Sequence, residues 1–185
     1  MQQAKLVTFV PTDILNFWYG IENKPKWFIK DSAFDREIAE KFLSYYEEAA
    51  KGNLDYWQES FEGSLALIIL LDQFPRNMFR EQPKSFATDA KALSIIKAII
   101  ESGTDKNVQT DYKHFLYMPL MHSENLADQK LSIELFNYDS NTHNYAKKHM
   151  EIIKKFGRFP HRNSILSRAS TKEEIRFLKT PNSSF

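Results

Sequence analysis

Gly63-Ser64-Leu65-Ala66-Leu67-Ile68-Ile69-Leu70-Leu71-Asp72-Gln73-Phe74-Pro75 is the stretch that decides the fold. Its apolar run, Leu65 to Leu71, leaves no polar face in a helical reading. A helix that is apolar all round must be wrapped by other helices. A buried strand is the competing reading for so short a run. It would need partner strands, and no alternating pattern with an Asn-Gly turn occurs in the chain. The run is also far short of the roughly 20 residues that span a bilayer. Leu65–Leu71 therefore predicts the central helix of an all-α domain, and Pro75 is expected to end it.

Helical spacing continues on both sides of that centre. Thr12 or Asp13 can open a short helix that carries Ile14, Leu15 and Trp18. Asp31 or Ser32 caps a longer one, with Phe34, Ile38, Phe42, Tyr45, Tyr46 and Ala49 on one stripe and Gly52 as its stop. Thr88 or Asp89 begins a helix that carries Ala92, Leu93, Ile96, Ile99 and Ile100 up to Gly103. Residues 112–136 are expected to be helical with a break near Pro119. Asn141 or Thr142 begins a helix that runs to Phe156 and Gly157, and Ser170-Thr171-Lys172-Glu173 reads as a capping box. The expectation is seven to nine helices in antiparallel pairs. They form one domain over residues 1–185, frayed at about 1–10 and 180–185.

Composition narrows the function classes. With no cysteine, disulfides, thiolate nucleophiles and cysteine-ligated zinc are excluded. Net charge is +1, which gives the whole chain no electrostatic case for nucleic acid or a membrane surface. The charge is uneven, however, since residues 147–179 hold ten basic residues against three acids. A basic face paired with an acidic body is the ordinary explanation. Residues 1–10 contain no long apolar stretch, and the expectation is a cytoplasmic protein. There is no phosphate-loop, dinucleotide-binding, zinc-protease or nucleophile-elbow motif. The five histidines show no helical metal-ligand spacing, so neither a metal nor another cofactor is expected.

Three segments place dense polar residues where local rules predict packing, which is how sites usually announce themselves. The first is Asp72-Gln73-Phe74-Pro75-Arg76-Asn77. A carboxylate at the end of an apolar helix opposes the helix dipole and needs a cation, either Arg76 or a distant arginine. It is a buried Asp–Arg clamp or an acid facing a pocket. The second runs from Tyr117 to Asp128 and contains His122, Ser123 and Glu124. His122 and Glu124 are two apart and diverge on a regular helix, so they converge only if a helix begins between them; Ser123 can cap that helix. The third runs from His149 to Arg168. His149 falls on the stripe of Tyr145, Ile152, Ile153 and Phe156, where a core histidine is the ordinary reading. Arg158, His161, Arg162 and Asn163 follow in a loop stiffened by Phe159 and Pro160, which can hold guanidinium groups against a carboxylate or phosphate. Pairing of Arg162 with Asp72 is the structural alternative.

These segments, together with Ile14-Leu15-Asn16-Phe17-Trp18-Tyr19-Gly20 and Ser170-Thr171 followed by Glu173-Glu174, resemble the ordered blocks of the "domain of unknown function 924" family. The resemblance covers residues 12–178. It implies an all-helical fold of tetratricopeptide-like, right-handed type found mainly in bacteria, and implies no activity. Ser167 departs from the family pattern, which has glycine before Arg168.

Three readings follow for function. One is a binding module for a small anionic ligand or acidic peptide. Its site would use Asp72, Arg76, Asn77, His122, Glu124, His149, Arg158, His161, Arg162 and Asn163. Another is a hydrolase with His122 or His161 as acid or base, Glu124 or Asp72 as partner and Arg162 stabilising an oxyanion. The last is a buried polar network that fixes helix register in a protein-interaction module.

Overall fold

The computed structural model describes residues 8–181 and 183–184, so the outermost parts of both expected frayed ends lie outside the described residues. Among the described residues there are helices and no strand. The α-helices are α1 (Pro11–Trp18), α2 (Ser32–Lys51), α3 (Phe61–Ile68), α4 (Phe74–Met78), α5 (Asp89–Ser102), α6 (Thr110–His122), α7 (Leu126–Leu135), α8 (Ser140–Phe156) and α9 (Lys172–Phe177). No helix of the described residues is long and apolar enough to cross a membrane.

Local chemistry explains most helix ends. Asp31 caps α2 by accepting from the N–H groups of Ala33 and Phe34, and Gly52 ends the helix at φ 93°. Ser60 caps α3 through the Gly63 N–H. A Cβ at Gly63 would stand 2.1 Å from the Trp57 carbonyl, so only glycine lets the chain enter the core there. Several starts differ from the sequence expectation by a few residues. α1 begins at Pro11, which suits the first helical turn because its missing N–H is not needed there. Asp139 caps α8, and the capping box of α9 is Thr171 with Glu174.

Pro75 does not end the central helix. α3 and α4 are joined by a π turn over Ile69–Gln73, in which the Phe74 N–H reaches back five residues to the Ile69 carbonyl. Pro75 has no N–H to give the Leu71 carbonyl. The Thr88 hydroxyl donates to that carbonyl instead, and the Arg76 guanidinium donates to the carbonyl of Asp72. This spends the Thr88 hydroxyl, so Thr88 stands at the start of α5 without a side-chain cap. The expected break at Pro119 is also displaced. Pro119 lies inside α6, and the chain turns at residues 123–125, where Asn125 rather than Ser123 caps α7.

Leu65 to Leu71 are completely buried, as their all-round apolarity requires. α3 packs against α1, α5 and α6; α2 packs against α4; and α6, α7 and α8 touch in succession. Each fully buried Leu or Ile contributes roughly 1.5–3 kcal/mol. Trp18, Phe34, Phe74 and Phe115 fill the centre, with Trp18 and Phe115 edge to face at 5.1 Å. Ile152, Ile153 and Phe159 form a second, smaller core against Phe156 and Phe177. The site lies between the two.

Candidate functional site

The π turn places Asp72 inside a continuous helical rod rather than at the end of a helix, so the expected conflict with the helix dipole does not arise. Its carboxylate is completely buried. His122, the last residue of α6, places Nδ1 2.8 Å and 3.0 Å from the two carboxylate oxygens. An ionised carboxylate only accepts, so Nδ1 donates and the opposite nitrogen, Nε2, carries the lone pair. Gln73 donates to the same carboxylate, and the Arg76 guanidinium stands 3.3 Å from it. Burial alone would raise the Asp72 carboxyl, but Arg76 and His122 outweigh it and hold the group well below the carboxylate range. Burial and Arg76 together lower His122, so the neutral ring is favoured.

Arg162 approaches from the loop after α8. Its residue is 7% exposed, with its guanidinium over the rings of Phe86 and Phe159, at 4.7 Å and 4.6 Å. One nitrogen donates to the His122 carbonyl at 3.1 Å, and another reaches Asp89 at 3.4 Å. Asp89 is already held by Arg76 at 3.0 Å. The Arg162 Nε–H is buried with no acceptor. Burial, with Arg76 nearby, lowers the Arg162 guanidinium to about 10 despite Asp89. Asp72 is the partner of Arg76 and His122, not of Arg162 as the sequence alternative had it.

Gln73, Arg76, Phe86, His122 and Arg162 line a cleft of about 770 Å³ that also includes Asn77, His149 and His161. His149 donates Nδ1–H to the Tyr145 carbonyl at 2.8 Å, and burial pushes it down to about 3. Burial, then Arg162, pushes His161 down to about 4. Both rings are neutral at pH 7. Trp27, Phe28, Ile29, Met118 and Met121 supply an apolar side. His122 and Arg162 also line a smaller cleft of about 360 Å³, so they stand as a partition between the two.

The structure brings together Asp72, Arg76, His122, His149, His161 and Arg162. Three other candidates do not line the larger cleft, although Glu124 lines the smaller one with His122 and Arg162. Arg158 is locked to Glu174 at 2.7 Å and 2.9 Å. Glu124 accepts from the Phe159 N–H at 2.7 Å and from Arg168 at 2.8 Å and 3.0 Å, so it does not converge on His122. Asn163 is fully buried between Ser170 and Arg168. Asn77 lines the cleft but donates to Asp35 at 2.8 Å. Asp89 and Phe86 are the residues that sequence reasoning missed. Asp89 read as a helix start, and nothing in the local pattern marks either as a partner of two arginines. Among the described residues no three or more histidine, aspartate or glutamate side chains are grouped as metal ligands.

The family model described as "Bacterial protein of unknown function (DUF924)" matches residues 14–182. A solved structure described as a protein of unknown function, ATU0120 from Agrobacterium tumefaciens, is similar at 40% identity and a TM-score of 0.87, covering 91% of this chain and 96% of its own. No curated protein matches the chain.

Proposed function

The chain belongs to this bacterial family of unknown function (DUF924), and we propose that its cleft binds a small ligand with a single negative charge, most simply a carboxylate. Arg162 carries this reading. A guanidinium packed over two rings, with a buried N–H that has no acceptor, is held in place for a group that brings an oxygen. The charge balance agrees. Lys30, Arg76, Arg80, Lys148 and Arg162 line the cleft, against Glu81 on its wall and Asp35, Asp72 and Asp89 behind it. With the histidines neutral, one positive charge is in excess. By contrast, Arg158 and Arg168 in the same loop each grip a carboxylate with two of their nitrogens.

Benzoate, which joins a carboxylate to an apolar body, is the probe suited to a cleft with these two sides. At 100 times its dissociation constant it should stabilise the protein by roughly 2.7 kcal/mol. In Arg162→Met, which keeps the aliphatic packing and removes the charge, calorimetric titration should show affinity at least about tenfold weaker, the loss of one charge-assisted contact. Equal binding by both proteins, or by neither, would sink the proposal.

A further inference from the structure

We infer that the same cleft hydrolyses a carboxylic ester, with His122 as general base toward water and Asp72 as its positioning residue. The inference rests on the carboxylate reading of the site. His122 is held by its Nδ1 on a buried carboxylate, which fixes both tautomer and ring orientation and leaves Nε2 as the basic nitrogen of a residue that lines the cleft. The Arg162 guanidinium is tied to the backbone carbonyl of that same residue at 3.1 Å. The base and the group proposed to stabilise the oxyanion are thus fixed to each other, and the Arg162 Nε–H has no acceptor. Two hydroxyls of the cleft lining are spent elsewhere. Ser85 donates to the Gln82 carbonyl and Thr142 to Asp139, so water is the nucleophile.

The step balances without any other reactant. His122 Nε2 takes one proton from water as the water oxygen bonds the carbonyl carbon, and the carbonyl electron pair moves onto its oxygen beside Arg162. The tetrahedral intermediate collapses, the carbon–oxygen bond to the alcohol breaks, and the alcohol leaves with the proton from His122. Ester and water become alcohol and carboxylic acid, which ionises to the carboxylate that the cleft is proposed to hold. Charge decides for acyl over phosphoryl transfer. One surplus positive charge answers a singly charged oxyanion, whereas a phosphate monoester brings two negative charges at neutral pH.

The test is hydrolysis of 4-nitrophenyl benzoate, followed through the released phenolate, beside calorimetric titration with benzoate. Saturable turnover inhibited by benzoate is expected. His122→Gln should lower kcat about 100-fold while benzoate still binds. Asp72→Asn should lower kcat and move the acid limb of its pH profile to lower pH with KM unchanged, which loss of packing alone would not do. Wild-type protein that binds benzoate but turns nothing over, or turnover that survives His122→Gln, overturns hydrolysis and leaves the binding site standing. Failure to bind benzoate overturns both. Faster turnover of 4-nitrophenyl phosphate overturns the acyl assignment.

Discussion

Arg162 and Arg168 lie six residues apart in one loop and meet opposite fates. Arg168 has a dedicated carboxylate in Glu124, gripped at 2.8 Å and 3.0 Å, and spends its remaining donors on Asn163 and the Phe159 carbonyl. Burial alone would raise the Glu124 carboxyl, but the hydrogen bonds from Arg168 and the Phe159 N–H lower it. Arg158 and Glu174 repeat the arrangement, and there the bonds from Arg158 hold Glu174 at about 2. Arg162 shares its ion-pair carboxylate, Asp89, with Arg76 and leaves one N–H unanswered. A locked guanidinium fixes the loop, and an under-answered one faces a cleft. The difference separates scaffold from site within eleven residues.

The largest expected effect tests the scaffold half. Arg168→Ala strands Glu124 among groups arranged for a cation and should cost about 3 kcal/mol, the low end for a broken buried pair because both partners are partly exposed. Arg162→Met should cost less than about 1 kcal/mol, since an apolar side chain of similar volume replaces an incompletely paired charge and Asp89 keeps Arg76. Urea unfolding of both variants reads the contrast directly. If Arg162→Met proves the costlier change, the assignment of scaffold and site is reversed.

Acid should separate the two halves next. His149 and His161 are lowered in the folded protein to about 3 and about 4. They stay neutral when folded and protonate once unfolded below about 6.5, so the unfolded state binds more protons. Their contribution is complete above pH 6.5 and falls as pH drops toward their folded values. For His149 alone the loss at pH 5 is about 2 kcal/mol. The lock behaves differently, since the lowered carboxyls of Glu124 and Glu174 give up their contribution only below the ordinary carboxylate range. Between pH 6.5 and 5 the slope belongs to the cleft. In His149→Gln the fall in urea midpoint over that interval should shrink, and an unchanged fall would move its source elsewhere.

How much of this was legible follows from how local each signal is. Asp31, Gly52 and the apolar run 65–71 act within one turn of themselves, and the structure matches them. Pro75 misled for the same reason. Its missing N–H is a local fact, but the Thr88 hydroxyl that relieves it lies 17 residues from the Leu71 carbonyl it satisfies. The composition of the site was visible as polar blocks in an apolar chain. Its partition was not, because an arginine's sequence neighbours do not reveal whether its carboxylate is its own, as Glu124 is for Arg168, or shared, as Asp89 is. That distinction arises only when α5, α6 and the loop after α8 meet.

Ser167 offers the smallest and most local test. It sits at φ 55°, in the left-handed region that favours glycine. The turn it makes lets the Arg168 N–H bond the Asn163 carbonyl at 2.8 Å and aims the Arg168 side chain at Glu124. A side chain in that region costs roughly 1–2 kcal/mol. Glycine relieves this but gives back roughly 0.5–1 kcal/mol through the greater freedom of its unfolded chain. Ser167→Gly should therefore raise stability by about 0.5 kcal/mol, an increase in Tm of about 1–2 °C for a chain of this size. Its effect on benzoate affinity should be nil, because the residue acts only on the locked half of the loop. A change in affinity without a change in Tm would mean that the lock and the cleft are one unit, and that Arg168 positions Arg162 through the residues between them.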